Sequence, residues 1–261
     1  MIISFANQKG GVGKTTSAIN VAASLGRENK KVLLVDLDPQ GNATSGVGVN
    51  KREVKCSSYD AIIGRSTASE AVVKTAYDNL YVIPSHINLA GAELEFLNDD
   101  TKDRFFRLRV TLSQLEAEYD YIIVDCPPAL GLLTVNALCA SDFVVVPMQC
   151  EYFAMEGLSQ LTNTIRQVKQ TYNRKVEIAG ILINMYDGRL NLSIQVLEEL
   201  KKFFPDKILK TPVPRTIRLG EAPSHGLPIF YYDSTNRASE CFIELAREID
   251  SICMGRSVVN G

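Results

Sequence analysis

No apolar run in this 261-residue sequence approaches the about 20 positions a membrane-spanning helix needs, which argues against a helical integral membrane protein. The opening residues carry no basic segment and no small-residue cleavage site, so a cytoplasmic chain is expected rather than a secreted one. Six cysteines are present, yet no two form a C-x-x-C pair, which excludes the usual zinc and thioredoxin-type arrangements. The thiols are expected to be reduced, several of them serving as buried apolar filler. There is no overall basic excess either: 28 Lys/Arg against 30 Asp/Glu leave a net charge of −2, unlike a globally basic nucleic-acid binder. The two histidines, His86 and His225, lack partner motifs and read as loop-packing residues.

What is present is ordinary in bulk and specific in detail. A hydrophobic content of 46% with 22% charged residues suits a globular chain with a sizeable core. Charge is unevenly spread: Arg166 to Arg218 holds eleven Lys/Arg and five Asp/Glu, so the remainder carries about −8. The most informative stretch is Lys9-Gly10-Gly11-Val12-Gly13-Lys14-Thr15-Thr16. It follows the apolar run Ile2–Ala6 and precedes Ile19, Val21, Ala22 and Leu25 at helical spacing, so the glycines fall at a strand-to-helix turn. Such a turn brings backbone N–H groups close to an anion, and the helix start adds the positive end of its dipole. Lys14 is placed to meet β/γ-phosphate oxygens, and the Thr15 hydroxyl to ligate Mg²⁺.

Later segments fit the same chemistry. Lys31–Asp36 is an apolar strand ending in an acid and continuing as Leu37-Asp38-Pro39-Gln40-Gly41-Asn42. Both acids lie at or just past the strand's carboxyl end, where open parallel sheets bind ligands. Asp38 is the candidate for positioning attacking water or the magnesium shell; Asp36 also reads as a turn-solvating acid. Tyr119–Asp125, followed by Cys126-Pro127-Pro128, has the Walker B form, with Asp125 placed to hold magnesium through water or through Thr15. Val176–Asn184 is another strand, and Asn184 at its end could read adenine by donating to N7 and accepting from N6, or cap a helix. Between these, a helix over Arg104–Glu118, a strand over Phe143–Pro147 and a long helix or helical pair from Glu151 to Val168 are expected. Two short helices are expected between Val54 and Ala76, and Leu89–Leu97 reads as a helix after a strand at Tyr81–Ser85. A last amphipathic helix spans Ser239–Cys253 and leaves a short frayed tail over 254–261.

The phosphate loop departs from G-x-x-x-x-G-K-[ST]: Gln8 stands where the first glycine belongs, and Lys9 precedes the glycines. From spacing alone Lys9 could be a solvated loop lysine. The K-G-G-x-G-K-T-T form, however, resembles the deviant Walker A loop of the ParA/MinD family. D-x-D-P-Q-G-N resembles that family's switch I, and the Asp125-Cys-Pro-Pro segment its switch II. Pro214-Arg215-Thr216-Ile217-Arg218 with Glu221-Ala222-Pro223-Ser224-His225-Gly226 resembles the signature of Soj-like ParA partition proteins. The resemblance covers nearly the whole chain.

The strand-helix alternation and the phosphate loop imply a doubly wound α/β fold, a mainly parallel sheet with helices on both faces, as one ATPase domain over 1–253. By resemblance, Lys9 would reach the partner's nucleotide in an ATP-sandwiched homodimer, Lys14 would act in cis, and Asp38 would be required for hydrolysis. The ATP site would comprise Lys9 to Thr16 together with Asn184, Pro214 and Thr216; Mg²⁺ would be held by Thr15, Asp38 and Asp125. Arg189 and Arg218, with Arg215 as a further candidate, would bind DNA non-specifically. A ParB-type centromere-binding protein would stimulate ATP hydrolysis. The expected place is the cytoplasm, on the nucleoid, with no membrane partner. Without an operator-reading extension before the first strand, the short form is expected. The alternative is a MinD-like or cargo-positioning ATPase acting on a membrane or protein partner.

Overall fold

The computed structural model describes residues 1–98, 101–151 and 154–259. Its seven strands are β1 (Ile2–Phe5), β2 (Val32–Asp36), β3 (Val73–Lys74), β4 (Leu80–Ile83), β5 (Tyr121–Asp125), β6 (Phe143–Gln149) and β7 (Glu177–Asn184). The helices, in chain order, begin with α1 (Lys14–Arg27), α2 (Asn42–Gly46), α3 (Ser58–Ile62) and α4 (Leu89–Leu97). They continue with α5 (Arg107–Ser113), α6 (Leu132–Ala140), α7 (Ala154–Thr171) and α8 (Asn191–Phe203). Last come α9 (Arg218–Glu221), α10 (Ile229–Tyr232) and α11 (Arg237–Val259).

The strands form one sheet in the order β3-β4-β2-β5-β1-β6-β7, parallel throughout except for the antiparallel edge strand β3. Alternation along each strand explains why the interiors of the central strands are almost wholly apolar, with Ser4 the polar exception in β1. Ile2, Leu33, Val35, Ile122 and Val124 pack on one face against Leu108, Leu138, Leu161 and Leu200 of flanking helices. Ile3, Phe5, Leu34 and Ile123 pack on the other, against Ile19 and Leu25 of α1 and Phe242, Leu245 and Ile249 of α11. A strand covered on both sides has no solvent-facing register, so a polar residue in its middle would lose hydration whichever way it pointed. The expected doubly wound architecture is therefore present.

This topology creates the ligand crevice. β1 lies between β5 and β6. From β1 the chain turns through α1 towards β2; from the adjacent β5 it turns through α6 towards β6, on the opposite face of the sheet. The two connections diverge at the strands' carboxyl ends, opening a cleft where ligands of such sheets bind.

Several local expectations change. The helix expected over Arg104–Glu118 is a 3-10 turn, Lys102–Phe105, followed by α5, because the chain leaves helical geometry at Phe106 (φ −112°, ψ 3°). Between Val54 and Ala76 there is only α3, a 3-10 turn at Ser69–Ala71 and the strand β3, which is too short to show a period in sequence. The final helix runs on to Val259 instead of ending at Cys253; the last two positions of the expected tail lie outside the described residues. The six cysteines are free, and Cys126, Cys139 and Cys253 are buried. His225 stacks on Tyr232, a packing role as expected. Among the described residues no helix is long and apolar enough to cross a membrane.

Candidate functional site

The loop between Phe5 and Lys14 turns the chain from β1 into α1. Gly11 and Gly13 take left-handed backbone there, φ 76° and 86°, a region that costs a residue bearing Cβ about 1–2 kcal/mol. At Gly13 there is also no room: a Cβ would lie 2.7 Å from Asn184 Nδ2. The loop is braced from neighbouring strands. Asn7 Nδ2 donates to the Pro147 carbonyl (2.7 Å), Gln149 Nε2 to Gly11 (2.7 Å) and Asn184 Nδ2 to Val12 (2.9 Å). The last two bonds occupy loop carbonyls, while the first-turn N–H groups of α1 have no intrahelical acceptor. Backbone donors, a helix N-terminus and a lysine then converge on one spot, the composition of a phosphate cradle.

Lys14 is buried, and its Nζ donates 2.9 Å back to the Lys9 carbonyl. Burial pulls its pKa down, and the nearby Asp125 carboxylate opposes that shift. Lys9 behaves differently. Its side chain is about half exposed and ion-paired with Glu151, in the segment that follows β6.

The three acids, all buried, are sorted by their partners. β2 and β5 pair in register with Asp36 opposite Asp125, so two carboxylates emerge side by side. Asp36 accepts from the Thr44 N–H (2.7 Å) and Thr44 Oγ1 (2.6 Å), and more weakly from the Asp38 N–H (3.2 Å). Burial raises its pKa to about 6 against those hydrogen bonds. The Asp36 carboxyl is thus committed to holding α2 and the segment leading into it. Asp38 Oδ1 accepts from the Gln40 N–H (2.9 Å) and folds the turn after β2. Asp125 is the outlier: it is fully buried, and neither carboxyl oxygen is met at full hydrogen-bond geometry, the Thr15 hydroxyl being a donor directed towards it. Burial, and next the charge of Asp36, holds its carboxyl well above the usual range, with Thr15 and Lys14 acting the other way.

A carboxylate left short of partners in such a place costs several kcal/mol unless a cation joins it. The donor set fits Mg²⁺. Among the described residues no three His, Cys, Asp or Glu form a metal cage, but this ion ordinarily needs only one or two carboxylates plus substrate phosphates.

On the other side of the loop, Gly13, Thr16, Asn184, Met185, Pro214 and Thr216 line a cavity of about 240 Å³. Three positions expected from sequence in the ATP site, Asn184, Pro214 and Thr216, therefore meet beside the phosphate loop. Asn184 is buried; its Nδ2 also donates to Ser17 Oγ (3.0 Å), while Oδ1 has no partner. Its donor half is thus used within the protein, and the acceptor half remains for a donor such as an adenine N6 amine. The two-bond reading of adenine expected from sequence does not fit this arrangement.

The three arginines expected to meet DNA, Arg189, Arg215 and Arg218, are exposed. Arg189 makes a two-point ion pair with Asp187 (Nε–Oδ1 2.9 Å, Nη2–Oδ2 2.7 Å), which holds the Asp187 pKa down at about 2. Arg218 pairs with Glu221 (3.0 Å) and lies 3.6 Å from Asp233. The local basic excess is partly neutralised by its own neighbours. Sequence reading missed Gln149, which braces the loop, Thr44, which holds Asp36, and Glu151, which pairs with Lys9. None carries a local signal; each acts on a residue brought to it by the fold.

Comparison with known proteins follows the same outline. A family model described as an AAA domain matches residues 1–178. The chain is 53% identical over 248 residues to the sporulation initiation inhibitor protein Soj of Bacillus subtilis, covering 95% of this chain and 97% of that protein. It is 49% identical to the chromosome partitioning protein ParA of Myxococcus xanthus, over 95% of this chain and 87% of that one. Among solved structures, cobyrinic acid a,c-diamide synthase from Mycobacterium smegmatis with bound ADP and magnesium superposes with a TM-score of 0.82 at 34% identity, covering 94% of this chain and 92% of the other.

Proposed function

We propose that this chain, which belongs to the Soj/ParA family of chromosome-partitioning ATPases, is an ATP-driven switch that holds DNA as a dimer and lets go on hydrolysis. It is a P-loop ATPase by family and fold. The cleft offers Lys9 to Thr16 to the phosphates, and Asn184, Pro214 and Thr216 to the base. Thr15 would hold Mg²⁺, with Asp125 and Asp38 reaching it through water; bound there, the ion would neutralise charge on the β- and γ-phosphates. The residues do the rest. Lys14 supplies a cation to the γ-phosphate from a dry site, where it acts more strongly than in water. Asp38 orients the attacking water. Lys9, released from Glu151, adds a second positive charge to the nucleotide of the other protomer.

The observation that carries this reading is the buried Asp125 carboxylate, short of full hydrogen bonds, beside a lysine-bearing phosphate loop. A site built for structure alone would not leave both oxygens so poorly satisfied. Dimerisation also explains how a modest basic face can serve DNA: non-specific affinity rises steeply with the number of phosphates neutralised, and two chains double that number. A ParB-type protein would then time release by stimulating hydrolysis. The expected place of action is the nucleoid.

The test is retention of random-sequence DNA by the purified protein with ATP, ADP or no nucleotide, across a salt series. Binding that needs ATP and disappears with salt supports the switch. ATP-driven dimers that ignore DNA but sediment with anionic vesicles would overturn it in favour of a membrane-acting relative.

A further inference from the structure

The arginine face contains a built concavity. Tyr186, Asp187, Gly188 and Arg189, after β7, face Pro212, Pro214 and Arg215 across the bridge that pairs Tyr186 with Pro214; Arg237, at the start of α11, closes a cavity of about 430 Å³. Three arginines from three separate segments thus line one hollow. Gly188 shapes its rim: a Cβ there would come within 3.3 Å of the Tyr186 ring. One acid, Asp187, lines the hollow and is engaged with Arg189. Among the described residues no carboxylate forms an ion pair with Arg215 or Arg237.

We propose that this hollow seats a backbone phosphate of DNA, with Arg237 as a phosphate-binding residue alongside Arg189 and Arg215. Charge complementarity selects the occupant. Arginines from three segments around one hollow can offer charged donors to the oxygens of a phosphodiester, a contact that needs no base-specific group. The hollow also shares Pro214 and Arg215 with the cavity beside the phosphate loop. The segment that would contact the nucleotide on one side therefore contacts the phosphate on the other. The inference rests on the DNA-binding reading above and adds to it a residue that lies in a different segment from the arginine signature.

The experiment measures anisotropy of a labelled random-sequence duplex with the full-length protein and ATP, over a salt series. The variants are Arg237→Ala, Arg237→Lys and Asp187→Asn, with Arg218→Ala as reference. Arg237→Ala is expected to weaken binding several-fold equally for unrelated sequences and to lower the slope of log affinity against log salt by about 1 per site lost. Arg237→Lys keeps the slope, because a point charge still displaces the counterion; a purely structural role for Arg237 would not produce that split. Asp187→Asn strengthens binding by releasing Arg189 from its acid. An unchanged slope in Arg237→Ala, with Arg218→Ala weakened, overturns the phosphate seat and leaves the DNA reading intact. No DNA binding by the wild-type protein in any nucleotide state overturns both. If Arg237→Ala instead loses binding to vesicles of phosphatidylglycerol and phosphatidylcholine while DNA binding is unchanged, the hollow serves a lipid headgroup and the DNA assignment is wrong.

Discussion

The phosphate loop and the arginine face handle charge in opposite ways. At the phosphate loop, Lys14 and the neighbouring Asp125 at the end of β5 are buried, and neither oxygen of Asp125 is met at full hydrogen-bond geometry. On the arginine face, Arg189 and Arg218 are exposed and already paired with Asp187, Glu221 and Asp233. A buried charge short of partners signals a missing ligand because leaving it so is costly. An exposed ion pair signals little, since water screens it and its worth lies near zero to about 1 kcal/mol. One region thus declares a ligand through its energetics, whereas the other declares one only through its shape.

That contrast orders the expected effects. Lys14→Ala removes the buried cation from the loop and is expected to weaken ATP binding by at least about 100-fold, since several charge-assisted hydrogen bonds are lost together; equilibrium titration with a fluorescent ATP analogue reads it. Retained affinity would mean that the loop is not the phosphate site. Asp38→Ala should keep ATP and lower the hydrolysis rate by about 100-fold or more, the usual contribution of a group that manages the nucleophile's proton. Single-turnover hydrolysis checks the rate, and light scattering with ATP should show a persistent dimer.

Asn184→Ala cuts the bond to the Val12 carbonyl and removes the free Oδ1, so the KM for ATP is expected to rise about 5- to 10-fold. If KM stays constant while thermal stability falls, Asn184 is a brace only. Arg218→Ala should weaken DNA binding several-fold and reduce the salt slope by about 1. The smallest change is expected from Glu221→Gln, which breaks an exposed pair: the melting temperature should hardly move, while DNA affinity rises slightly. A large loss of stability there would show that the arginine face is held together more like the loop than its exposure suggests.

The legible parts of the molecule were those where chemistry is local. The glycines, Lys14 and Thr15 lie within eight residues, and the strand and helix flanking them are visible as a buried apolar run and a helical stripe. Asp38 and Asp125 could be placed at or just past strand ends because a strand's carboxyl end is marked by where its apolar run stops. Less legible was β3, whose two residues carry no period. Phe106 interrupts an apolar stripe that continues undisturbed in sequence, so the expected helix over Arg104–Glu118 was too long. Asn184 was recognised by position, yet its use of Nδ2 on the loop and Ser17 could not be read from a strand end.

By itself, the sequence determined the doubly wound class, the phosphate loop and the order of acids along the chain, because backbone geometry and burial period are properties of consecutive residues. Only the tertiary structure decided how those acids divide their work. Asp36 and Asp125 face each other because β2 and β5 are neighbours, and Thr44 satisfies one of them while the other is left short of full hydrogen bonds. The same holds for Arg237, which stands 48 residues from Arg189 in the chain and lines one hollow with it. Electrostatic free energy depends on distance through space and on access to water, and folding sets both.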